Sequence, residues 1–199
     1  MGLLLFIPFA AFAESDNVYL FADIGGINSG DLCANGGTSY TQISCSQISY
    51  TYGLGMGYIA SNRFGFELTL RDLGEFISEQ DSPVGGFTVR SSSKISGRAA
   101  LLPATYTFFF NQYNAATLKL GLAYIRSESR TDYSNATATV TSFGSNYSAL
   151  YGIAYTIKIG ELTSWHLQYE GINRMVTDAA SSSGIKNLGL LSLGMVAGF

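Results

Sequence analysis

Charge is what this chain has least of. Asp, Glu, Lys and Arg together make up 13% of its 199 residues, where an ordinary soluble domain carries about a quarter. Histidine occurs once, at position 166, and cysteine twice, at 33 and 45. So sparse a set of ligating side chains argues against a metal site, and no residue pattern calls for a cofactor. The 11 basic and 14 acidic residues are scattered, with a net charge of −3. That distribution gives neither the basic footprint of a nucleic-acid binder nor a polybasic segment for a membrane surface. Beyond the first thirteen residues no apolar run reaches the roughly 18 residues that a membrane helix requires.

What the chain does have is hydrophobic residues at 47%, 23 glycines, and 13 each of tyrosine and phenylalanine. Low charge, many aromatics and no apolar helix leave two architectures. One is a soluble all-β domain. The other is a membrane barrel, whose apolar surface is spread over alternate residues.

The N-terminus has the form of an export signal. Residues 2–10 are apolar and Ala11-Phe12-Ala13 is a small-x-small cleavage site, although the usual basic residues do not precede the apolar stretch. The expected division is therefore a signal peptide over residues 1–13 and one barrel domain over residues 14–199.

Period-two patterning then runs through the rest of the chain. Its strongest instance is residues 48–59, where Ile48, Tyr50, Tyr52, Leu54, Met56 and Tyr58 alternate with Ser49, Thr51, Gly53, Gly55 and Gly57. Successive side chains of a strand point to opposite faces, so one face here is apolar and the other slim and polar. Seven further strands are expected, over residues 18–24, 64–72, 92–110, 117–126, 147–159, 165–171 and 187–199. In the strand at 92–110 the pattern puts Ile95, Ala99 and Leu101 outward and Lys94, Ser96 and Arg98 inward. Pro103 within it predicts a bulge or an edge.

The eight strands are even in number, and their connections alternate in length. Long intervals at 26–47, 76–91, 127–146 and 173–186 alternate with short ones at 60–63, 111–116 and 160–164. Long connections outside and short turns at the periplasmic side are the layout of an outer-membrane barrel. The aromatics agree: Tyr58, Phe64, Phe109, Phe110, Trp165 and Phe199 lie beside the short turns or the C-terminus, and Tyr50, Tyr124 and Tyr147 beside the long connections. Two belts at the two headgroup levels are expected. The fold class is thus an all-β, eight-stranded, antiparallel up-and-down transmembrane barrel.

The closing run Leu191-Ser192-Leu193-Gly194-Met195-Val196-Ala197-Gly198-Phe199 resembles the last strand of the transmembrane domain typified by outer membrane protein A, and Lys119-Leu120-Gly121-Leu122-Ala123-Tyr124 resembles another strand of it. The resemblance to this OmpA-like family covers essentially all of the chain after the signal. It implies a Gram-negative outer-membrane location, contact with outer-membrane lipids and lipopolysaccharide, and a monomer. It also implies that Phe199 belongs to a C-terminal signal read by the barrel assembly machinery. The peptidoglycan-binding domain of some relatives is not expected, since the sequence ends at Phe199.

Candidate chemistry is confined to the interior and the first outer loop. Glu67, Arg71, Lys94, Arg98, Lys119, Lys158, His166 and Glu170 are expected to form a polar network inside the barrel. An isolated buried charge costs several kcal/mol, so these must pair. The network reads either as a static plug or as a gated ion path, and the plug is preferred because an eight-stranded barrel is only wide enough for side chains to fill it. His166 alone could serve an acyl-transfer triad, with Ser164 two residues away. Its expected place at the periplasmic end is wrong for an enzyme of the outer leaflet, so no catalytic residues are assigned. Cys33 and Cys45 share one loop in an oxidising compartment and are expected to form a disulfide. Function is expected in the outer loops, as a structural or adhesion-like interaction with a host or cell-surface ligand. A small porin-like channel and, behind it, a lipid A-modifying enzyme are the alternatives.

Overall fold

Alternation in the sequence becomes a wall with two faces. The computed structural model describes residues 18–29, 33, 41–60, 63–84, 87–134, 139–178 and 183–198; the expected signal peptide and Phe199 lie outside them. Nine strands follow one another: β1 (Val18–Ser29), β2 (Thr41–Cys45), β3 (Ile48–Ile59), β4 (Phe64–Val84), β5 (Phe87–Phe109), β6 (Asn114–Tyr133), β7 (Thr139–Lys158), β8 (Thr163–Asp178) and β9 (Ser183–Gly198). All pairings are antiparallel, β4 pairs with both β3 and β5, and β1 pairs with both β3 and β9. Eight strands therefore close into a ring without an edge. The ninth, β2, lies in the first long outer connection and pairs with β4 beyond the end of β3, Thr41 opposite Asp81 and Cys45 opposite Ser78.

The other long connections are not irregular loops. β4 and β5 continue as a ladder to Val84 opposite Phe87, and β6 and β7 pair up to Asp132 opposite Thr139. β5 alone has 23 residues, about twice the 9–11 that cross a bilayer as a tilted strand. Serine- and threonine-rich stretches such as Ser91-Ser92-Ser93 extend the sheet because adjoining strands offer them ladder hydrogen bonds throughout.

The outward face of β6 shows where the membrane stops. It reads Leu118, Leu120, Leu122, Tyr124 and then Arg126, Glu128, Arg130, while the inward face reads Thr117, Lys119 and then Ala123, Ile125. Inside the hydrocarbon the wall is apolar outside and polar inside. Beyond Tyr124 the outside is polar, while inside Ile125, followed by buried Ser127, joins apolar side chains that the neighbouring strands supply at this level. Exposed Tyr50, Tyr124 and Tyr147 sit on the outer side of the apolar band, and Tyr58, Phe64, Phe109, Phe110 and Trp165 beside the short turns.

This change corrects the faces expected for β5. Ile95, Ala99 and Leu101 are buried inside the barrel, and the side chain of Arg98 is 87% exposed on its outer wall. Apolar residues were assigned to lipid, but at Lys94 and Arg98 the wall has already left the lipid. Pro103 makes neither a bulge nor an edge. It leaves a gap in the β4–β5 ladder between Phe66 opposite Ala104 and Thr69 opposite Leu101, with the register kept, as expected where an N–H is missing. The register shift lies instead between Asp72 and Glu75, at Gly74 with φ 70°, where a Cβ would meet the Tyr50 carbonyl oxygen at 2.2 Å.

The slim face of β3 has a use in the interior. Tyr19, Phe21 and Asp23 of β1 stand opposite Gly57, Gly55 and Gly53. A Cβ on Gly55 would lie 2.3 Å from the Phe21 ring and 2.8 Å from the Leu68 carbonyl oxygen, whereas Gly26, on the outer wall, has nothing nearer than 4.0 Å. We expect Gly55→Val to lower stability by about 1–3 kcal/mol through overpacking, and Gly26→Val to leave it within about 0.5 kcal/mol. Urea unfolding in lipid vesicles would measure both, and equal effects would contradict the packing described.

Candidate functional site

The bore is filled in two layers. Toward the outer end lies an apolar cluster that includes Ile27, Leu73, Phe76, Leu101, Ile125, Leu150, Met175 and Leu188, all 2% exposed or less. Toward the short-turn end lies an ionic network, whose strands deliver one or two charged side chains each.

Asp23 of β1 is the centre of that network. Arg71 of β4 grips it with two parallel bonds, Nη1 to Oδ1 at 2.7 Å and Nη2 to Oδ2 at 3.0 Å. The same Nη2 reaches Glu170 Oε2 of β8 at 3.3 Å. Gln168 donates to Asp23 Oδ2 at 3.1 Å and accepts from Lys119 Nζ at 2.8 Å. Lys119 in turn bonds Glu67 Oε2 at 2.5 Å and lies 3.8 Å from Glu170 Oε1. The Tyr19 hydroxyl donates to the other Glu67 oxygen at 2.6 Å. Three carboxylates and two cations are thus held in one connected set, in which charge-assisted and bidentate bonds offset the loss of water.

Glycine makes the centre possible. Asp23 faces Gly53 on one neighbouring strand and Gly194 on the other. A Cβ at Gly53 would stand 3.1 Å from Asp23 Oδ2 and 3.2 Å from the Arg71 guanidinium carbon, and one at Gly194 would stand 2.7 Å from Asp23 Cβ and from His166 Nε2.

Of the eight residues expected in the network, the structure brings together Glu67, Arg71, Lys119 and Glu170, with His166 beside them. His166 packs edge-on against Phe21 at 5.5 Å between ring centres, and its Nε2 has no hydrogen-bond partner among the described residues. Lys158 is exposed at the short-turn end, on the rim of a cavity of about 260 Å³ that Glu67, Lys119, His166, Glu161 and Ser164 also line. Lys94 and Arg98 are outside the barrel altogether, paired with Glu75 at 3.3 Å and Asp72 at 3.6 Å. Asp23, Tyr19 and Gln168 were missed. The signal for Asp23 was present in its alternation with Phe21 and its inward parity, but a single carboxylate in the first strand carried no indication of its partner 48 residues away.

Cys33 and Cys45 are joined by a disulfide with Cα atoms 5.9 Å apart, which fastens the first outer connection to β2.

The family model of the OmpA-like transmembrane domain matches residues 13–199. No curated protein sequence matches the chain. Among solved structures, outer membrane protein OprG of Pseudomonas aeruginosa is 11% identical, with a TM-score of 0.63 over 94% of this chain and 97% of that one. Neisserial surface protein A is 14% identical, with a TM-score of 0.50 over 92% and 97%. The attachment invasion locus protein Ail of Yersinia pestis, solved with the heparin analogue sucrose octasulfate, is 13% identical, with a TM-score of 0.50 over 92% and 99%. At these identities the likeness is one of fold.

The network generates a stability prediction. Lys119→Met leaves Glu67 and Glu170 without their shared cation, and we expect it to cost about 3–5 kcal/mol. The double variant Lys119→Met/Glu67→Gln should recover more than half of that loss. Urea midpoints of the single and double variants in vesicles check this, and additive losses would refute the coupling.

Proposed function

The chain belongs to the OmpA-like transmembrane domain family and is an outer-membrane β-barrel, and from this premise we propose that it acts at the cell surface as an adhesion-like protein whose outer hairpins meet their ligand. The observation that carries the reading is the wall above Tyr124. It continues the sheet well past the bilayer, presents polar side chains to water, and is braced by cross-strand pairs such as Asp81 with Arg90 at 3.1 Å and by the Cys33–Cys45 bond. A rigid scaffold that carries its variable connections into solvent is the usual arrangement for recognition. Ail, of similar fold, was solved with a heparin analogue, so sulfated glycans are the first ligands to try.

The interior supports the same reading against a channel. An ion crossing the bore would have to pass the Asp23–Arg71–Glu170 set and then the apolar cluster, whose members have no polar atom to replace its hydration. The small channel would need both layers to rearrange. A non-enzymatic role fits the surroundings of His166, which packs against an aromatic ring.

Replacing residues 79–92 and 128–143 with short turns, which leaves Phe76 and Ser127 of the interior in place, should abolish binding of expressing cells to immobilised glycans or host cells. The barrel should keep its heat-modifiable band on a gel. Planar bilayers carrying the intact protein should show no discrete conductance steps. Binding that survives the replacement, or reproducible single-channel openings, would reject the surface-interaction reading.

A further inference from the structure

The first outward row beyond the apolar band carries two arginines side by side. Arg98 of β5 and Arg126 of β6 are directly paired across the ladder, one step beyond the pair Ala100 and Tyr124. Both side chains point out of the barrel. Like charges opposite one another on one face of an antiparallel pair repel, so this juxtaposition needs a counter-charge. The chain supplies little of it. Asp72 reaches Arg98 through Oδ2 at 3.6 Å, while its Oδ1 accepts the Gly74 N–H at 2.8 Å. Arg126 has no ion-pair partner among the described residues.

We propose that Arg98 and Arg126 form a docking site for the phosphate of a glycolipid of the outer leaflet. Two neighbouring guanidinium forks match the oxygens of one phosphate group, the geometry for which arginine is suited. Four observations favour a lipid-borne phosphate over a soluble one. The pair stands at headgroup height, next to Tyr124 on the same strand. Leu122 and Leu120 continue below it as an apolar wall for acyl chains. The rings of Tyr124 and Tyr147 lie 5.0 Å apart beside it, inclined to one another by 43°, and offer aromatic faces on which a sugar can stack. A groove of about 590 Å³ opens there, lined by Arg98, Arg126, Tyr124, Phe143 and Ser145, with Asp72 and Glu128 at its edges. Asp72 stands in the same row, opposite Arg98, and Glu128 separates Arg126 from Arg130 further out along β6.

The proposal rests on the outer-membrane placement of the barrel, and its test keeps the two apart. The intact protein, Arg126→Gln and Arg98→Gln/Arg126→Gln would be placed in phosphatidylcholine nanodiscs containing either a diphosphorylated outer-leaflet glycolipid or its enzymatically dephosphorylated form. Retained glycolipid would be counted by native mass spectrometry, with a heat-modifiable band as the folding control. The intact protein should retain the phosphorylated form about tenfold over the dephosphorylated one. The single variant should lose most of that preference and the double variant all of it. Equal retention of both forms by the intact protein, an unchanged preference in the double variant, or complete displacement by millimolar inorganic phosphate would overturn the site. Sucrose-gradient fractionation of the expressing cells tests the placement separately: a chain in the outer membrane without the preference removes the site alone.

Discussion

Asp23 cannot be where it is without Arg71. The two side chains are fully buried in a bore too narrow for water to solvate them, and much of the periplasmic half of the barrel is arranged around their contact. Gly53 and Gly194 clear the space on both sides of the carboxylate, Gln168 donates one further hydrogen bond to it, and Glu170 links the guanidinium to Lys119 and so to Glu67. β1, β3, β4, β6, β8 and β9 all contribute to this one set. Closing the ring and pairing the charges are therefore a single event. A strand slipped by one residue would turn its charge into lipid and leave its partner buried alone.

A second constraint comes from the surroundings of the wall, which change along its length. The same strand passes through hydrocarbon and then through water, and the sequence follows the change. Leu118 to Leu122 face lipid while Lys119 faces in; a few residues later Arg126 and Glu128 face water while Ile125 faces in. Buried and exposed positions go on alternating across the boundary, while the outward side chains change from apolar to polar. Tyr124, with an apolar ring and a polar tip, occupies the point of change.

That change explains what could be read from the sequence. The ring of eight strands, their faces within the bilayer and both sets of aromatics follow from a period of two and the spacing of turns, which are local properties. The inward placement of Glu67, Arg71, Lys119 and Glu170 follows from the same period. Lys94 and Arg98 were misplaced because one rule, apolar toward lipid, was carried past the level at which lipid ends. Asp23 was overlooked because a network is a property of register between distant strands, and register is not written in any one of them. The expectation of loops at 76–91 and 127–146 failed for a related reason: polar composition reads as loop locally, but a neighbouring strand makes it ladder.

The apolar cluster beneath the outer hairpins has a bearing on how such a protein can change over time. It seals the bore above the ionic set with side chains that contact one another and make no demand on the residues exposed above them. Hairpin tips can then be lengthened or exchanged without opening the bore. The part of the molecule most open to variation is set apart from the part that must not leak.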